Sequence, residues 1–484
     1  MRKRKKNNDI GNNLVDRISV LPDEILASIL SLLPLKEAQA TSVLSRRWRH
    51  MWASTVTLNF DSAPTMWSFV HGSISSKPYN LKSKVEGEIS RFVPWINSVV
   101  KQHNVPCIEL FRVRSPLNQE FAGSIDKWIQ FAMEKGVQTL ELDFSVFGCV
   151  PPMYTFPHDL IKHLCDGHIP IQGPCACIGL NSLKVLNFHC VNIAGEVLEY
   201  YLSNCPVLER LLVRDSPSLS NLRVVGSSVA LKYLLIEYCR NIKSIEICDT
   251  NLVSFIYDGD CRNLLLRNVP LLVEVSVSMP SCKDCIEVAF TQLSCRLSQL
   301  KILKLNHLGR YKRDRVPQYK KDLLFPVLAS LKHLELCLYT EDDCILLQLT
   351  SFLKATPNLE GLALVLNPAF PWIREIKYKA AKCSHQHLQV VQLVAYDVVH
   401  GSSAYHLEVV KYLIKSAVEL KKILITPNAD DEEKKDRVKK DIEEEVKKQK
   451  ARNHSRNQLI EGVPLTIAFV EYNYETKSKF ACLY

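Results

Sequence analysis

The sequence predicts an α/β chain: an N-terminal helical unit, then a curved solenoid of stacked strands in a parallel sheet, then a closing α/β segment. Three observations predict it. Residues 18–52 pack helix starts, stops and apolar stripes into a short span. From residue 108 onward a short apolar pattern recurs twelve times. Residues 383–427 read as strand, polar loop, helix and strand.

The first element is ISVLPDEILASILSLLPLKEAQATSVLSRRWRHMW, from Ile18 to Trp52. Asp23 stands where an N-cap carboxylate accepts from the unpaired N–H groups of a first turn. Ile25, Leu26, Ile29, Leu30 and Leu33 then make a wide apolar stripe on one helix. Pro34 stops that helix, because it has no N–H and forces its predecessor out of the α region. Lys36 to Ala40 form a short second helix, and a third begins near Ser42, with Val43, Leu44, Trp48, Met51 and Trp52 apolar. A unit this small cannot bury so many large apolar side chains alone. It is either a cap on a larger core or a docking module with a surplus apolar face.

Leu-Pro-Asp-Glu-Ile-Leu, a second proline, and Ser-Val-Leu-Ser-Arg-Arg-Trp-Arg closely resemble the F-box motif in the form common in plants, matching it in order, spacing and residue type throughout. The resemblance implies a substrate receptor of a cullin-type ubiquitin ligase that binds a Skp-family adaptor and, through it, cullin and a RING subunit. On that reading Leu21, Pro22, Ile25, Ile29, Leu30, Leu33, Val43, Leu44 and Trp48 form most of the adaptor-binding face, with Leu26 turned inward.

Between the helical unit and the repeats the signals are mixed. Thr55 to Phe60 alternates like a strand. Ile89, Phe92, Val93, Ile96, Val99 and Val100 fall at helical spacing, with Pro94 expected to bend or restart the helix.

The recurring pattern is apolar-x-x-apolar-x-apolar. It starts at Ile108, Val137, Leu183, Leu208, Leu231, Leu252, Leu272, Leu300, Leu331, Leu359, Leu388 and Leu420. Intervals run from 20 to 32 residues, apart from 46 between Val137 and Leu183. That gap holds Pro151, Pro152, Pro157, Pro170 and Pro174 and reads as an irregular loop. A repeat of this length and form is the signature of leucine-rich repeats. Neither the strand nor the returning segment of one unit can bury its apolar side alone, and stacking makes a continuous core. Tyr200 to Leu211, a helix-like stretch entering a strand through Cys205-Pro206, also looks like a segment of plant F-box/leucine-rich-repeat proteins.

Residues 383–427 resemble the FBD domain found C-terminal to such repeats, with Leu407, Val410, Leu413, Ile414 and Val418 as the helix stripe. Residues 430–456, with nine acids and ten bases, read as a solvated helix or arm rather than a core element. Leu465 to Val470 returns as a last strand. The domain reading is therefore 1–16 basic tail, 17–53 F-box, 54–107 linker and first capping elements, 108–382 repeats, 383–427 FBD-like, 428–457 charged helix or arm, and 458–484 a C-terminal strand segment.

Composition narrows the function classes. At 484 residues and 47% hydrophobic, the chain has ample core material and no apolar run long enough to span a membrane. Seventeen cysteines without a signal peptide point to reduced thiols in nucleus or cytoplasm. Arg2 to Lys6 supply half of the net charge of +10, so no basic face implies nucleic acid. That cluster fits either a nuclear-localisation signal or a disordered solubilising tail. Cys282-Lys283-Asp284-Cys285 is a lone CxxC with no second pair for zinc, and His385 and His387 read as strand entry rather than ligands. Cysteines such as Cys239 and Cys337 lie in or beside apolar repeats and read as small core residues. No nucleophile, base and orienter assemble, so no catalysis, cofactor, metal, nucleic acid or membrane is expected. The expected partners are the adaptor and an unidentified target protein held by the repeats. Two rival readings are a ligase-independent scaffold whose F-box packs on its own repeats and an enzyme whose site falls outside simple motifs.

Overall fold

In the computed structural model the chain is described at residues 18, 20–71, 78–146, 152–158, 179–226, 229–259, 263–278, 298–306, 327–339, 345–367, 384–396, 403–427, 436, 439–448 and 465–469. It divides into two compact units, Met1–Cys190 and Val191–Tyr484. The basic tail at 1–16 and the CxxC at Cys282 and Cys285 lie outside the described residues, as does most of the proline-rich gap.

The first unit opens with helices α1 (Asp23–Leu30) and α2 (Leu35–Ala40) and two 3-10 turns, Thr41–Val43 and Trp48–Ser54. Strand β1 (Thr57–Asp61) follows, then α3 (Ala63–His71) and α4 (Pro78–Gln102). Next come β2 (Leu110–Arg114), α5 (Ala122–Glu134), β3 (Thr139–Asp143) and β4 (Val185–His189). All pairings run parallel in the order β1-β2-β3-β4. Two inward rows cross the sheet in register, Leu58–Phe111–Leu140–Leu186 and Phe60–Val113–Leu142–Phe188. Every one of these side chains is fully buried. This is the geometry that the alternation of a strand and the leucine spacing demand. The ladder starts one strand earlier than the repeat pattern suggests, at β1.

Pro94 does not break α4, which runs unbroken from Pro78 to Gln102. The proline is exposed, and so is Ser90, whose carbonyl loses its helical donor. The proline thus sits on the solvent side of α4, while Phe92, Ile96 and Val99 bury the opposite face.

The second unit pairs its strands in the order β5-β7-β9-β11-β12-β13-β14-β15-β16-β17, again all parallel. These are β5 (Arg210–Arg214), β7 (Tyr233–Glu237), β9 (Ser254–Asp258), β11 (Glu274–Ser278) and β12 (Ile302–Asn306). The ladder continues with β13 (His333–Tyr339), β14 (Gly361–Asn367), β15 (Val390–Tyr396), β16 (Lys422–Pro427) and β17 (Thr466–Phe469). The leading leucines Leu208, Leu231, Leu252, Leu272, Leu300, Leu331, Leu359 and Leu388 are buried where the chain enters each strand.

The return segments are of two kinds. Helices α6 (Gly195–Asn204), α7 (Ile345–Ala355) and α8 (Ser403–Ser416) return some repeats. Strands β6 (Asn221–Val225), β8 (Ser244–Cys248) and β10 (Asn263–Arg267) return others and pair into a second parallel sheet. An added strand advances about 3.3 Å per residue and a helix 1.5 Å, so a strand return closes the same path with fewer residues. Gly195 opens α6 against β6, where a Cβ would lie 1.9 Å from the Asn221 carbonyl oxygen, so only glycine fits. Asp215, Tyr238 and Asp249 follow their strands at φ between 51° and 57°. Each donates its N–H to the last carbonyl of the neighbouring strand. Short polar side chains tolerate that left-handed turn best, so Tyr238 is the costliest of the three.

The segment 383–427 forms β15, α8 and β16 and continues the same ladder. Among the described residues of α8 the buried apolar side chains are Val409, Val410, Tyr412, Leu413 and Ile414, while Val418 past its end is exposed and Leu407 only half-buried. The charged stretch departs from its reading as a purely solvated arm. Residues 439–448 are helical, Ile442 is fully buried, and Glu445 is buried with its carboxylate 3.9 Å from Lys415.

Candidate functional site

Two surfaces carry the chemistry of this chain. The first is built by α1, α2 and the two 3-10 turns. Pro22, not Asp23, is the N-cap of α1, with φ −56° and ψ 153°, and its carbonyl accepts from Ile25 and Leu26. Asp23 is the first helical residue, and its carboxylate accepts from Arg47 Nε at 2.9 Å. The Arg47 guanidinium also donates to the Leu21 carbonyl. One arginine therefore staples the start of α1 to the far end of the unit. Helix α1 ends at Leu30, and a tighter turn carries Leu32 and Leu33 into Pro34, the N-cap of α2.

The unit has its own small core of Leu26, Leu30, Leu35, Ala38, Trp48, Met51, Trp52 and Ala53. Leu26 turns inward, as the edges of the stripe suggest. Leu30 and Trp48 do so as well, at 1% and 6% exposed. Within this unit they lie beneath the exposed residues of the predicted face. Trp48 begins a 3-10 turn, whose three residues per turn rotate side chains differently from an α-helix. Leu21 is half-buried and Pro22 exposed. Ile25, Ile29, Leu33, Val43 and Leu44 are exposed, Val43 at 87%. Leu32, Val20 and Ile18 join them, and sequence reasoning missed all three. The available signal was the doubled leucine before Pro34. Water is a poor neighbour for so many large aliphatic side chains together, so the face is suited to covering by another apolar surface.

The second surface is the outward row of the strands. In the first unit Arg114 lies 3.2 Å from Asp143, which also meets His189 at 3.3 Å and accepts from the Ser145 N–H. Burial pushes the Asp143 carboxyl up, but hydrogen bonds from His189 and Ser145 outweigh it and hold the group well below the usual carboxylate range. In the second unit Arg210 stacks 4.3 Å over the Tyr233 ring, Arg214 pairs with Glu237 at 2.8 Å, and Lys304 with Glu274 at 3.1 Å. A cavity of about 480 Å³ opens where the chain enters β5, β7 and β9. Pro206, Val207, Val229, Val253 and Leu271 line it, and the Glu209–Lys232 pair closes at 2.6 Å beside them.

Residues singled out for other chemistry have structural places. His385 is buried, bonds the Thr356 carbonyl through Nε2 at 2.7 Å and accepts from the Leu388 N–H at Nδ1. It braces the entry to β15. Cys239 is buried, and burial pushes its thiol up to about 12. Among the described residues no helix is long and apolar enough to cross a membrane.

Comparison with known proteins covers both regions of the chain. The F-box domain model matches residues 18–57, and the model of the At1g61320/AtMIF1 LRR domain matches residues 99–471. F-box/FBD/LRR-repeat protein At1g13570 of Arabidopsis thaliana is 24% identical over 87% of this chain and 93% of its own length. FBD-associated F-box protein At4g10400 of the same plant is 29% identical over 72% of this chain and 78% of its own length. F-box/LRR-repeat protein At3g03360, also from Arabidopsis thaliana, reaches 30% over 47% of this chain and 44% of its own length. F-box domains generally bind Skp-like adaptors, and F-box/LRR proteins are in general non-catalytic. With its repeat ladder matched over most of its length and the F-box placed ahead of it, this chain belongs to the At1g61320/AtMIF1 leucine-rich-repeat family and is an F-box protein.

Proposed function

We propose that this chain is the substrate-recognition subunit of an SCF-type ubiquitin ligase. Its F-box docks a Skp-family adaptor, and through it cullin and a RING subunit. Its repeats hold a target protein, and other subunits carry the ubiquitin chemistry. The chain itself is non-catalytic and acts by proximity: holding the target raises the effective concentration of its lysines near a charged conjugating enzyme. It needs no cofactor, nucleic acid or membrane for this, and it works in the nucleus, the cytoplasm or both.

The observation that carries the reading is the exposed set Ile25, Ile29, Leu32, Leu33, Val43 and Leu44, standing over a core that is complete without them. That exposure supports docking over the scaffold rival, in which the F-box packs on its own repeats. Co-expression with a Skp-family adaptor tests the reading. The wild-type chain co-purifies with the adaptor at one-to-one stoichiometry, and Val43→Glu with Leu44→Glu abolishes co-purification. An adaptor that ignores the wild-type chain refutes it.

A further inference from the structure

Within the first unit, the F-box does not hang from the ladder by a free linker. Lys36 and Gln39 lie three apart on α2 and so share one face. Glu88 and Trp95 lie seven apart on α4 and share another. The two faces meet. Gln39 Oε1 accepts from the Trp95 indole N–H at 2.6 Å. The Lys36 ammonium sits 5.0 Å over the Trp95 ring and 3.6 Å from the Glu88 carboxylate, whose side chain is only 10% exposed. Below, Trp95 meets Phe60 of β1 edge-on at 5.2 Å and Phe92 of α4 at 5.7 Å. Phe60 and Phe92 are both fully buried. One indole therefore touches the F-box, the first strand and the first long helix. A second tie stands at the end of α4, where His103 Nε2 donates to the Thr55 carbonyl at 2.9 Å and the Asn104 N–H donates to the Ala53 carbonyl at 3.4 Å.

These contacts differ in kind from the rest of the F-box core. An indole N–H bond has a narrow angular range, and a cation over a ring is lost when the ring tilts. Together they fix rotation of α2 on α4, which apolar packing alone leaves loose. We propose that Trp95 is a positioning residue. With Gln39, Lys36 and Glu88 it forms a joint that locks the adaptor-docking face in one orientation on β1–β4. The proposal rests on the docking reading above. A target held at one end of a rigid body reaches the conjugating enzyme in a fixed geometry, and a loosened joint scatters that geometry.

Trp95→Ala would also remove packing from Phe60 and Phe92, so the test uses α2 surface variants of the full-length chain. Genetically encoded spin labels at the exposed Ser28 and Gln130 report the distance between α1 and α5. The wild type gives one narrow distance population. Lys36→Met with Gln39→Leu roughly doubles the width of that distribution, as expected when a fixed joint becomes a hinge. Gln39→Glu, which keeps the acceptor, stays near wild type. In a reconstituted ligase the double variant binds the Skp-family adaptor as well as wild type does. Its ubiquitination of its own lysines falls by about tenfold, the scale of a misplaced reaction geometry. A distance distribution unchanged in the double variant overturns the joint. The distances are read on the chain alone, so a wild-type chain that binds no adaptor overturns the docking reading while this arm still decides the joint.

Discussion

The F-box and the repeat ladder draw on the same aliphatic residues and dispose of them in opposite ways. In the ladder each inward leucine meets its counterpart one strand over, and Leu211, Leu234 and Phe255 are all fully buried. In the F-box the short helices bury Leu26 and Leu30 and leave Ile25, Ile29, Val43 and Leu44 in water. A repeat satisfies its apolar side with its own neighbours, whereas a small helical unit has too few neighbours to do so. The difference separates stability from binding: ladder leucines govern folding, and exposed F-box residues govern association.

The largest expected effect lies in the ladder. Leu234→Ala removes a fully buried side chain between β5 and β9 and should cost about 2–5 kcal/mol through lost burial and a residual cavity. Denaturant titration measures the loss, and adaptor binding stays intact wherever the variant remains folded. Leu30→Ala sharpens the contrast. Because Leu30 is an inner residue, it should lower F-box stability rather than only weaken the interface, which hydrogen exchange over α1 reads directly. A Leu30→Ala chain with wild-type protection and weakened adaptor binding would put Leu30 back on the outer face.

Next comes the entrance to α1. Leu21→Ala with Pro22→Ala removes the N-cap geometry and a half-buried contact together, and should abolish adaptor co-purification while the circular dichroism of the repeats is unchanged. Single truncations in the exposed set are milder. Burying one such side chain is worth about 1.5–3 kcal/mol, so Val43→Ala should weaken the adaptor complex by about tenfold.

The strands were legible because the apolar-x-x-apolar-x-apolar spacing reports local alternation, which survives any tertiary arrangement. The type of return was not read, although the intervals carry it. Leu208 to Leu272 advance by 20 to 23 residues per repeat, and these are the repeats returned by β6, β8 and β10. The interval is 28 around α7 and 32 around α8. The F-box stripe was visible and its edges suggested that Leu26 turns inward, but they did not mark Leu30, and Trp48 lies in a 3-10 turn that an α-helical period does not describe. Trp95 lay inside a helix that the spacing located. Its partner Gln39 stands 56 residues earlier, and no local pattern links them.

A smaller effect concerns pH. His103 and His385 are both buried, and desolvation lowers their pKa below the ordinary 6.5 despite backbone hydrogen bonds that work against it. In each case the folded state favours the neutral ring. Below about pH 6.5 the unfolded chain therefore binds more protons than the folded one, and stability falls as pH drops toward the lowered pKa. Protonated His385 would also turn an N–H toward the Leu388 N–H it now accepts from. His385→Gln should flatten this slope in melts between pH 7 and pH 5, and an unaltered slope would assign the loss elsewhere. Smallest is the tail: replacing Arg2 to Lys6 with alanine should lower the nuclear-to-cytoplasmic ratio of a tagged chain without changing adaptor binding.

The separation of binding from stability is tested most directly by calorimetric titration of a Skp-family adaptor into three full-length chains, each first melted on its own. The account predicts that Val43→Glu with Leu44→Glu melts like wild type and gives no heat of binding. It predicts that Leu234→Ala melts lower and binds the adaptor at wild-type affinity. Wild-type affinity in the glutamate variant would contradict it, because the exposed F-box face would then not be the surface that the adaptor covers.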